Sequence, residues 1–201
     1  MRATDSSQTT IALSPVNVLG QEFSLELSLR MALPIPRQNE NLPDQIEAFV
    51  HQAGLKVMRQ LFGALMEKAD QQLLLQCRQG KGDAGIQRRG TCPFTFKTIF
   101  GGVTVKRSRI SHKLDGTIEV PSATAWNTSH QLDITQNLRD AVCDQMSDES
   151  AGKTRADVCE SAGDERLLAR STILNILHQK GEQLMAAQRE RARAILDEAS
   201  E

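Results

Sequence analysis

Thr172, Asn175 and Gln179 recur at i, i+3 and i+7, with His178 beside them, so a helix would present the first three on one face. The chemistry open to such a set is base recognition. Asn and Gln pair a donor with an acceptor in the geometry of the adenine edge, and Thr can meet a thymine methyl group. A second set lies upstream. From Arg78 to Lys113, nine Lys and Arg side chains stand against one acid, Asp83, in a chain whose formal net charge is −1. The balanced total hides a strongly positive centre. Its candidate phosphate contacts are Arg88, Arg89, Lys97, Lys106, Arg107, Arg109 and Lys113. Cations so placed concentrate phosphate, and each neutralised phosphate releases counterions. Lys and Arg also keep the edge of a hairpin soluble with no ligand at all, so composition leaves both uses open.

The basic residues need a sheet to hold them. Phe94 and Phe96 alternate with Thr95 and Lys97, and Val103 and Val105 with Thr104 and Lys106, at the two-residue period of strands. Gly101-Gly102 between them predicts the positive-φ pair of a tight hairpin turn. Arg107 and Arg109 fall on the side of Val105 and Ile110 on the other, which predicts a bulge or a switch of face near Arg107. Thr117 to Val120 adds a third short strand before Pro121.

The base-reading set needs a helix with a defined start. Ser171 is placed to cap it, with Ile173, Leu174, Leu177 and Leu184 on its inner side. A short helix from Ser150 to about Ala162 precedes it, stopped by Gly163. Before that, Thr128 and Gln131 form a T-x-x-Q capping box ahead of Leu132, Ile134, Leu138, Ala141, Val142 and Met146, which predicts a helix to about Ser147. Three helices in this order suggest a helix-turn-helix whose last helix enters the major groove, although the connection from Gly163 to Arg170 exceeds the usual three or four residues.

The remaining elements follow the same rules. Pro43 opens a long helix striped by Ile46, Phe49, Val50, Ala53, Val57, Leu61, Ala64 and Leu65, extending to about Leu75. Gln76 to Gly90 then reads as a glycine-rich basic loop. Residues 1–8 read as loose; Phe23, Leu25, Leu27 and Leu29 alternate as a strand, with Ile11 and Leu13 as its partner, and Pro34 to Pro43 is a connector. The expected fold is mainly α with a small β element: a long helix, a basic β-hairpin or meander, and a helix-turn-helix-like three-helix unit. Its segments are 1–42, 43–90, 91–126 and 127–201.

Aromatic residues make up 3% of the chain, so a core would be mostly Leu, Ile, Val and Ala, which favours helices. No run of eighteen apolar residues and no charged-then-apolar leader is visible, so a cytoplasmic, nucleoid-associated location is expected, without a membrane partner. Cys77, Cys92, Cys143 and Cys159 form no C-x-x-C pair, which argues against zinc and for reduced thiols.

The order of these motifs carries a family resemblance. A basic loop ending RRG, then FKTIFGGVTVKRSRI, a P-S-A segment, a capped helix, and SAGKTRADVCESAG followed by STILNILHQKGEQL resemble the N-terminal half of bacterial DDE-type insertion-sequence transposases, the ISKra-like group. There a segment like RRxxxTxFGxVxVxRxR precedes a helix-turn-helix. The matching positions are Arg88, Arg89, Thr98, Phe100, Gly101, Val103, Val105, Arg107 and Arg109, then Ser150, Gly163, Ser171, Thr172, Ile173 and Gly181. The likeness covers roughly residues 43–190.

The resemblance implies binding of double-stranded DNA at insertion-sequence ends, by the basic positions above together with Ser171, Thr172, Asn175, His178 and Gln179. Partners would be DNA and either a second copy or the catalytic part of the transposase. Many relatives carry a cysteine pair where this chain has Ser111 to Gly116, so no metal is carried over. The family's catalytic core places three carboxylates around two metal ions. It would follow the helix-turn-helix, where this chain stops. Asp144, Asp148, Asp157 and Asp164 match none of its positions and read as solvated charge. No catalytic residue, no cofactor and no enzymatic activity are therefore expected of this chain alone; a divalent metal belongs to the missing domain. Two other uses share the pattern: a helical oligomerisation or interaction protein with no DNA role, and a stand-alone repressor of the parent transposase.

Overall fold

The computed structural model describes residues 6–18, 21–32, 41–81, 85–126 and 132–198. The fold is mainly helical with a smaller β component. Two compact units are present: Met1–Thr95 with Val103–Leu132, and Phe96–Gly102 with Asp133–Glu201.

In the first unit, β1 (Ser6–Val18) pairs antiparallel with β2 (Gln21–Ala32). The strand begins inside the stretch expected to be loose and runs through Pro15. The register shifts between Leu13, opposite Leu25, and Val16, opposite Phe23, so two residues of β1 face one of β2. A proline has no N–H for the ladder, and a bulge absorbs it.

Helix α1 (Leu42–Lys81) spans 40 residues, about 60 Å at the usual rise. It outruns the expected end because Leu74 is buried with Ile86 and Ile110, and Cys77 packs against them. The expected loop from Gln76 to Gly90 is correspondingly short. Gln76 to Lys81 are helical, Ile86 to Gly90 already belong to β3 (Ile86–Thr98), and residues 82–84 lie outside the described residues.

The hairpin forms, with its turn moved. β3 ends at Thr98 and β4 (Gly101–His112) starts at Gly101, two residues earlier than the expected start at Val103, leaving Ile99 and Phe100 as the turn. The Thr98 hydroxyl closes it, donating to the Gly101 carbonyl at 2.9 Å and accepting the Phe100 N–H at 3.1 Å. Gly101 takes a φ of 110° that an L side chain resists. Gly102 serves a different purpose: its N–H donates to Asp164 Oδ2 at 3.0 Å, and a Cβ there would stand 3.3 Å from that oxygen.

The change of face near Arg107 is present. Val103, Val105 and Arg107 are buried at odd positions, then Ser108 and Ile110 at even ones. Short β5 (Ile118–Glu119) pairs with β4, Ile110 opposite Glu119, and His112 Nε2 meets Glu119 Oε2 at 2.8 Å. Pro121 then opens α2 (Pro121–Ala125), a turn of helix missed in the sequence.

In the second unit, β6 (Leu132–Ile134) lies beside β3 in the order β5-β4-β3-β6, and the Thr135 N–H donates to the Lys97 carbonyl at 2.9 Å. The expected capping box, Thr128 to Gln131, lies outside the described residues. Leu132 and Ile134, taken for the start of a helix, are strand; α3 (Gln136–Met146) starts after Thr135. Helix α4 (Ala151–Ser161) has Ser150 as N-cap, its hydroxyl accepting from Lys153 N–H, and Gly163 beyond its end at a φ of 57°. Helix α5 (Arg170–Glu198) begins one residue before Ser171. Leu138, Val142, Val158, Leu167, Leu168, Ile173 and Ile176 form the core of the three helices. Of the residues expected on the inner side of α5, Ile173 is buried and Leu177 half-buried, whereas Leu174 and Leu184 are exposed; Ile176 takes the second core position.

Candidate nucleic-acid interface

The basic centre divides by burial. Arg88, Arg89, Lys106 and Lys113 are exposed, and Lys97 and Arg109 half-buried. Arg107 is not on the outside: it is 5% exposed, with its guanidinium carbon 3.6 Å from the centre of the Phe94 ring. Burial pulls its pKa down, opposed by Cys92 and by the Asp70 carboxylate. A guanidinium keeps its charge under such shifts, so Arg107 is an internal cation. Its assignment as a phosphate contact fails on access, because it shares the inward face of Val103 and Val105, ahead of the switch at Ser108.

Helix α1 supplies the counterweight. Asp70, 2% exposed, accepts the Ser108 N–H at 2.7 Å through Oδ2, and Glu67 accepts the Lys106 N–H at 3.0 Å. Two backbone donors of β4 thus end on carboxylates, which covers part of a strand edge. What stays outward is narrower than the sequence count: Arg88 and Arg89 on β3, Lys106 on β4, and Lys113 just beyond its end. The Thr95 and Thr104 hydroxyls lie 3.0 Å apart on the exposed side of the same hairpin.

In the helical unit, the first turns of α5 carry the expected polar residues in the open. Ser171, Asn175, His178 and Gln179 are exposed and Thr172 half-buried. Ser171 does not cap. The N–H groups of Thr172 and Ile173 donate to the Ala169 carbonyl at 3.0 and 3.2 Å, so Ser171 sits inside the first turn. His178 Nε2 pairs with Glu182 at 3.3 Å, and Gln179 Oε1 accepts from Arg139 at 2.9 Å.

The long connection before α5 is fixed rather than slack. Arg155 donates to the carbonyls of Leu168 at 2.9 Å and Glu165 at 3.1 Å, and Asp164 Oδ1 accepts the Arg166 N–H at 3.1 Å. Asp164, read as solvated charge, is therefore a hub that also takes the Gly102 N–H. Buried Leu167 and Leu168 anchor the segment from below. Sequence reasoning missed Arg166 and Arg170, both exposed at the start of α5. The signal was available as two cations flanking a candidate recognition helix.

Acids gather elsewhere on this unit. Lys153 reaches Glu149 at 2.6 Å and holds its carboxyl below the usual range, while the hydrogen bond to Glu149 pushes the Asp157 carboxyl up.

No family model, curated protein or solved structure matches the chain.

Among the described residues, no group of three or more His, Cys, Asp or Glu could hold a metal ion, and no helix is long and apolar enough to cross a membrane. The four cysteines stand unbridged. The chemistry open to the exposed groups includes anion pairing by Arg88, Arg89, Lys106, Lys113, Arg166 and Arg170, and hydrogen bonding to base edges by Asn175 and Gln179.

Proposed function

We propose that the chain binds double-stranded DNA, as the front portion of an insertion-sequence transposase that recognises the ends of its element. The observation that carries the reading is the start of α5: exposed Asn175 and Gln179 lie on a helix held in a three-helix core, with exposed Arg166 and Arg170 beside its first turn. Phosphate contacts fix register and base contacts specify, and this short stretch holds both kinds of group. The exposed cations of the hairpin, Arg88, Arg89 and Lys106, add sequence-independent affinity. The assignment to transposition rests on the motif resemblance and extends no further than the DNA-binding step.

The test is binding to the element's own terminal sequence against scrambled duplex at one fixed salt concentration. The terminal sequence should be preferred, and Asn175→Ala should reduce the preference by about 1–3 kcal/mol while leaving scrambled binding nearly unchanged. Equal binding of both duplexes by the wild type would make the three helices a packing unit only.

One observation favours a second reading, self-association through α1. Ile46, Val50 and Met58 are 42%, 60% and 44% exposed, more than a helix at rest in water normally shows on its apolar stripe. Sedimentation of the wild type against Val50→Glu separates the two: a shift to monomer supports association, and an unchanged monomer removes it.

A further inference from the structure

Helix α5 outlasts the core that holds it. Its last buried residue is Ile176, and every residue from Glu182 to Ile195 is exposed, about 20 Å of helix at 1.5 Å per residue. Three arginines stand on that extension, Arg189, Arg191 and Arg193, and among the described residues none of them pairs with an acid. They divide by helical phase. Arg193 follows Asn175 by eighteen residues, about five turns of 3.6, and so lies on the same line of the helix. Arg189 follows by fourteen and lies about 40° to one side, whereas Arg191, sixteen residues on, lies about 160° away. Arg189 and Arg193 form a like-charge pair at i, i+4, which by itself destabilises a helix. In sequence, Glu190 and Asp197 stand within a turn of Arg193 on either side. Arg189 has only Met185, Ala186 and Ala192 at its other three- and four-residue spacings, so it is the barer cation of the two.

We infer that Arg189 and Arg193 bind the DNA backbone beside the bases that Asn175 reads. The two lie about 21 and 27 Å along the helix from Asn175. The major groove is only about 12 Å wide and curves away from a straight helix, so a helix with Asn175 on base edges meets phosphates at that distance. Glu182 lies between them on the same face, 3.3 Å from His178 Nε2. It is about 10 Å from Asn175, over the groove, where a carboxylate can accept from the cytosine amino group. The inference rests on the DNA-binding reading of α5 and lengthens its contact to backbone within about eight base pairs of the base read, at 3.4 Å each.

The test is the slope of log affinity against log salt on a duplex that the wild type enriches from a randomised pool, with scrambled duplex alongside. The full-length proteins are the wild type, Arg189→Gln with Arg193→Gln, and Arg191→Gln. Two lost phosphate contacts should remove about 1.8 of slope from the double variant on both duplexes, while its preference for the enriched one stays within about twofold. Arg191→Gln, on the opposite face, should keep the wild-type slope. Arg189→Lys with Arg193→Lys should keep it too, which separates lost charge from lost fold. A double variant with the wild-type slope overturns the inference. So does an Arg191→Gln slope lowered as much as one contact, because the charge would then act without regard to face. A wild type that enriches no sequence, or binds no duplex, overturns the DNA-binding reading itself, and the two failures are thus distinct.

Discussion

Lys106 and Arg107 are neighbours in sequence and opposites in use. Arg107 sits over Phe94 with Asp70 buried nearby, so removing its charge strands a carboxylate in the core. Arg107→Met should lower stability by about 1–3 kcal/mol, because buried Asp70 loses a nearby positive charge and the Phe94 ring loses its cation. Lys106→Ala should leave stability within about 0.5 kcal/mol, as exposed substitutions do. Denaturant melts of the two variants check both; equal, small losses would return Arg107 to the surface. The serines make a similar contrast. Ser150→Ala should cost about 1 kcal/mol because it removes a cap, whereas Ser171→Ala should be near neutral because it replaces one interior helical residue by a better helix former. The residue types of the candidate site were legible from sequence, and so was a face switch near Arg107. Which side of the switch met solvent was not, because the packing of α1 against β4 decides it through Glu67 and Asp70. Spacing alone does not show a contact made from so far away in the chain.

At the scale of elements, α5 owes its placement to the segment before it. Arg155 holds two carbonyls of that segment, so Arg155→Met should lower the melting stability of the helical unit by about 2 kcal/mol, consistent with hydrogen bonds from a charged donor. Sequence-preferring binding should fall with it. A variant as stable as the wild type would mean the buried Leu167 and Leu168 suffice. Cys143 sets an alkaline limit on the same unit. Burial pushes its thiol above the ordinary range, against the pull of Lys180, so the neutral form is favoured in the fold. The stability this contributes is intact below the unfolded thiol pKa, about 8.5, and is lost as pH rises through the higher folded value. Cys143→Ala should flatten that alkaline decline, read from melts between pH 8 and 10; an unchanged profile would assign the decline to other groups. Helices with a cap or stop of their own, such as α4 with Ser150 and Gly163, were legible to within a residue. Leu132 and Ile134 were not, because a strand of three residues carries too little period to separate it from a helical turn. The end of α1 was hidden for a different reason: Gly80 and Gly82 signal a loop locally, while Leu74, Ile86 and Ile110 keep the preceding turns together from a distance.

For the whole molecule, a net charge of −1 describes neither unit. Exposed Arg88, Arg89 and Lys106 lie in the first, while the second carries Glu149 just ahead of α4, Asp157 and Glu160 on it, and Arg166 and Arg170 near α5. Affinity for phosphate should therefore depend on a few identifiable cations rather than on the overall balance, and should fall steeply with salt. The most direct measurement is the slope of log affinity against log salt concentration on non-specific duplex DNA, for the wild type and for the Arg88→Ala, Arg89→Ala, Lys106→Ala triple variant. Each lost phosphate contact should remove about 0.9 of slope, so the triple variant should lose roughly 2 to 3 in slope and bind all sequences more weakly by a similar factor. An affinity and slope equal to those of the wild type would contradict the account, and would leave the basic hairpin as a charged, solubilising sheet edge.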